Sequence, residues 1–158
     1  MDLEAVHQAA ERALCRAWGR DYEELPAAVR RGTGLRVVDV VREIKDFFKL
    51  PAPLAELLAL RRDHFLALVA RRPITPMPGA AEAVALLREA GVPMAVASSG
   101  QPDHIEVVLR RLGMRGDFSV TVSGADVTRG KPDPEPYLLA SRRLGVAPAA
   151  CLAVEDSA

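Results

Sequence analysis

Three short apolar runs in the second half of this 158-residue chain each end in groups that could handle a phosphoryl group. The run Pro93–Ser98 leads into Ser98, Ser99 and Gly100. The run Phe118–Val122 leads into a loop carrying Arg129, Gly130, Lys131 and Pro132, and the run Cys151–Val154 leads into Glu155 and Asp156. A serine hydroxyl and the backbone amides at a helix start can receive phosphate oxygens. A lysine neutralises their charge. Paired carboxylates suit Mg²⁺, a hard ion that prefers oxygen ligands and phosphate. Each group also has a plain structural role. Ser98 or Ser99 could cap the next helix, Lys131 could be an exposed loop lysine, and Glu155–Asp156 could open a helix whose dipole favours acids. Their coincidence at three successive run ends favours phosphoryl chemistry.

The elements that must position them divide the chain. Residues 1–73 read as helical throughout. Leu3, Val6, Ala10, Ala13, Leu14 and Ala17 recur at three- and four-residue steps, as do Val37, Val38, Val41, Ile44 and Phe48, and Leu54, Leu57, Leu58, Phe65, Leu68 and Val69. Arg31–Gly34 and Pro51–Pro53 punctuate these helices. Residues 74–158 alternate between types. Helices are expected over 80–90, 102–112 and 134–144, stopped by Gly91, Gly113 and Gly145. Strands are expected near 93–98, 118–122 and 151–154. That alternation implies an α/β fold: a Rossmann-like parallel sheet with helices on both faces, beside an all-helical insertion or cap. Ligands of an open parallel sheet bind at the carboxyl ends of its strands, where the polar groups above sit.

Val96-Ala97-Ser98-Ser99, Gly130-Lys131-Pro132-Asp133-Pro134 and Val154-Glu155-Asp156-Ser157 resemble the second, third and fourth signature motifs of the haloacid-dehalogenase-like superfamily. Together with Pro78-Gly79 they are similar to the branch holding β-phosphoglucomutase and the sugar-phosphate and phosphoglycolate phosphatases. The resemblance implies that Ser98 and Ser99 contact the transferring phosphoryl group, that Lys131 bridges it to the nucleophile, and that Glu155 and Asp156 hold Mg²⁺. It implies a helical cap that selects the substrate, a small phosphorylated metabolite, with His7, Arg36 and Arg61 as candidates to face it. Their plain alternatives are an exposed helix histidine and solvated arginines. The family's first motif is an apolar strand ending in Asp-x-Asp, whose first aspartate attacks phosphorus. No such strand precedes Asp2 and Glu4, so the central first strand of the sheet is expected to be missing and the chain cut at both ends. In the family that strand lies between those ending at Ser98 and Val154, which would then present unpaired edges.

Two function classes follow. The first is a fragment of a Mg²⁺-dependent phosphatase or phosphomutase working through an aspartyl-phosphate, inactive by itself. The second is a phosphate-binding or protein-interaction module without turnover. Lys plus Arg and Asp plus Glu balance at 21 each, which argues against a nucleic-acid partner. No apolar run reaches the ~20 residues of a membrane helix. The N-terminus lacks the basic start and apolar centre of a secretion signal, so a cytoplasmic setting is expected. Cys15 and Cys151 have no metal-ligand spacing and are expected as reduced, packed small hydrophobes.

Overall fold

A computed structural model describes residues 3–30 and 35–155. Two compact units divide the chain, Asp2–Pro73 and Ile74–Ala158. The expected turn at Arg31–Gly34 lies outside the described residues.

The first unit is helical: α1 (Leu3–Ala17), α2 (Ala27–Arg30), α3 (Val37–Phe48) and α4 (Leu54–Arg71). The apolar periodicity of α3 becomes its buried face, with Val37, Val40, Val41, Ile44 and Phe48 turned inward. These pack with Leu14, Cys15, Tyr22, Leu25, Leu50 and Leu57 into one core. The chain leaves α3 through Lys49, which takes the left-handed conformation at φ 51°. The N–H of Leu50 then closes back on the Lys45 carbonyl at 2.9 Å. Helix α4 lies against both α1 and α3.

The second unit runs α5 (Ala80–Glu89), β1 (Ala95–Ala97), α6 (Pro102–Arg111), β2 (Val120–Val122) and α7 (Glu135–Leu144). β1 and β2 pair in parallel, Ala95 opposite Val120 and Ala97 opposite Val122, joined by the α6 crossover. This is the expected Rossmann-like plan, a small parallel sheet with packed helices. Ala95, Ala97, Val120 and Val122 share one face by strand alternation, and α7 covers it through Leu139 and Ala140. Gly113 and Gly145 end α6 and α7 as expected, both at φ 71°, a conformation that costs glycine nothing.

The third expected strand is corrected. Residues 151–155 are not a strand, and Leu152 and Val154 are 90% and 86% exposed. An extended apolar run becomes a strand only when a neighbour completes its ladder, and among the described residues none pairs with it. Cys151 follows the same logic. Cys15 is packed as expected, and burial pushes its thiol up to about 11, whereas Cys151 is exposed, corrected by the absence of a sheet around it. Helix α5 buries no residue and leaves Leu86 and Leu87 uncovered, because two strands offer too little sheet to cover its apolar side. Among the described residues no helix is long and apolar enough to cross a membrane.

Candidate functional site

Ser98 stands one residue beyond β1. Its N–H donates to the Val122 carbonyl at 2.9 Å, extending the ladder past the strand. Its Oγ accepts the Gly100 N–H at 3.1 Å, a tight turn before α6. The helix-cap alternative for Ser98 and Ser99 does not hold, because the residue capping α6 is Gln101. A Cβ at Gly100 would stand 3.3 Å from Ser98 Oγ, so the turn is tight around the hydroxyl. The Gly100 carbonyl accepts the Gly124 N–H at 2.9 Å. The loops leaving β1 and β2 are therefore tied together at the carboxyl edge of the sheet. Ser99 is half-buried in the same turn.

The loop from β2 to α7 is held at several points. Ser123 donates both its N–H and its hydroxyl to Asp126 Oδ2, and Arg143 Nη2 donates to Asp126 Oδ1 at 2.7 Å. The serine hydroxyl and then Arg143 hold this carboxyl down at about 2, against the opposing pull of partial burial. Glu135, in the first turn of α7, reaches back to accept the N–H groups of Thr128 and Arg129 at 2.9 Å each. Asp133 Oδ1 in turn accepts the Glu135 N–H at 2.9 Å. The Lys131–Pro132 peptide within this frame is cis.

Lys131 donates to Glu155 Oε1, and the Tyr137 hydroxyl donates to the same oxygen at 2.6 Å. The Lys131 ammonium also lies 5.3 Å from the centre of the Tyr137 ring. Burial works to lower the Lys131 pKa, but the hydrogen bond and charge of Glu155 outweigh it and the lysine is held above its ordinary value. Burial and the Glu155 carboxylate raise the Tyr137 phenol. The structure thus brings Lys131 and Glu155 into contact, with Ser98 on the same edge of the sheet. Asp156 and Asp2 lie outside the described residues. Among the described residues no group of three His, Cys, Asp or Glu side chains could hold a metal. Mg²⁺ takes one or two protein carboxylates and keeps several waters, so Glu155 fits as one oxygen ligand for it.

The helical unit holds the three cap candidates. Arg61 corrects the solvated reading: its side chain is 1% exposed and donates Nη2 to Glu11 Oε1 at 3.4 Å. Its Nη2 also meets His7 Nδ1, and because a guanidinium only donates, the His7 proton belongs on Nε2. His7 is half-buried, 4.7 Å from the Phe65 ring centre, rather than an exposed helix histidine. Glu11 Oε2 accepts the Tyr22 hydroxyl at 3.3 Å. Burial raises the Glu11 pKa and lowers that of Arg61, each resisted by the other's opposite charge. Arg36 instead spends its guanidinium on Asp39, at 2.6 and 2.9 Å.

Sequence reasoning missed Tyr137, Glu135 and Asp126. Glu135 carried a usable signal, an acid one residue after Pro134 at a helix start. Tyr137 carried none, since an aromatic in the first turn of a helix reads as core.

The chain belongs to the haloacid dehalogenase-like hydrolase family, which it matches over residues 2–158. It is 31% identical over 161 residues to the phosphorylated carbohydrates phosphatase of Thermotoga maritima, covering 99% of this chain and 71% of that protein. It is 34% identical over 110 residues to Protein CbbY of Cereibacter sphaeroides, covering 68% of this chain and 48% of that one. The chain therefore spans about half the length of that curated relative. Among solved structures it is similar to CbbY from Rhodobacter sphaeroides in complex with phosphate, with a TM-score of 0.78 and 28% identity, covering 92% of this chain and 68% of that one.

Proposed function

We propose that this chain carries the phosphate- and cation-binding part of a phosphatase or phosphomutase acting on a small phosphorylated sugar. The observation that supports the reading is the contact of Lys131, in the loop leaving β2, with Glu155, a cation and a carboxylate brought together on the side of the sheet where the Ser98 turn leaves β1. In this reading the Ser98 hydroxyl and the neighbouring turn receive phosphoryl oxygens, with Ser99 alongside. Lys131 neutralises the charge that builds on those oxygens. Glu155, with Asp156 following it, would hold Mg²⁺, which when bound supplies further charge stabilisation for the phosphoryl group. The relatives named for phosphorylated carbohydrates support a sugar phosphate as the substrate class. His7, Arg36 and Arg61 belong to the cap in this reading. His7 brings a half-buried ring to it, while Arg36 is paired with Asp39 and Arg61 with Glu11. The exposed Cys151 thiol suits a reducing, cytoplasmic setting.

The phosphoryl acceptor expected from the resemblance is an aspartate, and the described strand ends supply none. In this reading the 158-residue chain by itself binds phosphate without hydrolysing its esters. The test is a thermal melt with inorganic phosphate plus Mg²⁺. Tm should rise with ligand concentration for the wild-type chain, and Lys131→Ala should abolish the shift while leaving the ligand-free Tm nearly unchanged. A shift that survives Lys131→Ala would overturn this site. Mg²⁺-dependent hydrolysis of sugar phosphates by the short chain, lost in Asp2→Asn, would overturn the claim that it lacks a nucleophile.

A further inference from the structure

Tyr137 touches both halves of the Lys131–Glu155 pair with different atoms. Its hydroxyl donates to Glu155 Oε1 at 2.6 Å, and its ring lies 5.3 Å from the Lys131 ammonium. The turn that carries it is fixed. Tyr137 is the third residue of α7, its N–H bonds the Pro134 carbonyl at 3.1 Å, and Glu135 two residues earlier clamps the backbone of Thr128 and Arg129. The phenol is thus mounted on the same rigid frame that presents Lys131. Glu155 has no such frame: it follows an extended stretch that belongs to no strand and whose side chains face solvent. Its Oε1 accepts from both Lys131 and Tyr137.

We infer that Tyr137 is a positioning residue for the proposed cation and phosphate site: its hydroxyl aims the Glu155 carboxylate and its ring seats the Lys131 ammonium. The inference rests on the proposed function and adds a division of labour within one side chain. A phosphate that recruits Lys131 draws the ammonium off Glu155 Oε1, and the phenol, which keeps its own bond to that oxygen, helps hold the carboxylate toward a cation. Groups that orient a ligating carboxylate change metal affinity when removed, although they never touch the metal. A Glu155 held less firmly leaves more ordering for the metal to impose, and affinity falls by that ordering cost.

Two substitutions separate the roles. Tyr137→Phe keeps the ring and removes the hydroxyl; Tyr137→Leu removes both. The full 158-residue chain is titrated with Mg²⁺ in the presence of inorganic phosphate, and with inorganic phosphate alone, by calorimetry. Far-UV circular dichroism checks the fold of each variant. Tyr137→Phe should weaken Mg²⁺ binding about tenfold and leave phosphate affinity within about twofold, since a ring face still meets Lys131. Tyr137→Leu should weaken both. A Tyr137→Phe chain that binds Mg²⁺ as the wild type does would overturn the inference, as would equal loss of Mg²⁺ and phosphate binding in a folded Tyr137→Phe chain. Lys131→Ala run alongside keeps the two readings apart. If it abolishes phosphate binding while Tyr137→Phe changes nothing, only the role of Tyr137 fails. If phosphate binding survives Lys131→Ala, the site itself is misassigned and the role of Tyr137 falls with it.

Discussion

Replacing Glu11 by leucine should strip the helical unit of much of its stability. The carboxylate stands 3.4 Å from a guanidinium whose side chain is 1% exposed. At that separation and an effective dielectric constant of about 20, the attraction amounts to about 5 kcal/mol. Removing one partner leaves the other buried and uncompensated, and such losses run to about 3–5 kcal/mol. Among the described residues, Nε and Nη1 of Arg61 are buried without a hydrogen-bond partner, and its Nη2 would keep His7 Nδ1. The double change Glu11→Leu with Arg61→Met removes both charges and fills the space with apolar atoms. It should return stability to within about 1 kcal/mol of wild type. Tyr22 loses its bond to Glu11 in either variant but keeps its 3.2 Å bond to the Arg30 carbonyl. Urea unfolding followed by tryptophan fluorescence is the assay, since the sole tryptophan, Trp18, packs against the helical core and reports on that unit. A single variant that costs less than about 1 kcal/mol, or a double variant as unstable as the single one, would refute the reasoning.

Two further outcomes are expected. Asp126 titrates at about 2 in the folded chain against an ordinary 3.8. A depressed acid contributes stability above its unfolded pKa and loses it as pH falls from about 4 toward 2. Solvent screening of this partly exposed carboxyl holds the contribution to about 1 kcal/mol. Asp126→Asn should flatten that part of the acid limb, and an unchanged limb in a pH series of denaturation midpoints would count against it. Leu152→Ser should change stability by less than about 0.5 kcal/mol, because Leu152 is 90% exposed. The fully buried Leu57→Ala should cost about 2–5 kcal/mol. Equal effects of the two on thermal midpoints would show that residues 151–154 are packed in solution.

Local rules carried most of the fold. The ends of α6 and α7 were written in Gly113 and Gly145, and the buried face of α3 in the spacing of its valines, because both depend on neighbours within a few residues. The run Cys151–Val154 has the same apolar character as the run that forms β1, yet it is not a strand. A strand is a property of two segments, and the sequence of one segment is silent about the other. The same limit hid Arg61, whose burial is set by Glu11 and His7, 50 and 54 residues away. At the candidate site, motif spacing singled out Ser98, Lys131 and Glu155 as candidates. The latter two bond directly, and Tyr137 touches both, although its position in a helix's first turn gave no hint of a polar partner.

The bond between Lys131 and Glu155 spans 24 residues, and its two ends differ in firmness. The lysine end is braced by α7, while the glutamate end hangs on a backbone stretch that neither helix nor sheet holds. Local opening starts where few contacts must break. Amides 151–155 should therefore exchange with deuterium while those of β1, β2 and α7 stay protected. The carboxylate would then be released and restored while the sheet stays folded. Chemistry at this edge would then be tuned by how long Glu155 dwells at its post, a quantity set by residues 151–155 and independent of the stability of the sheet.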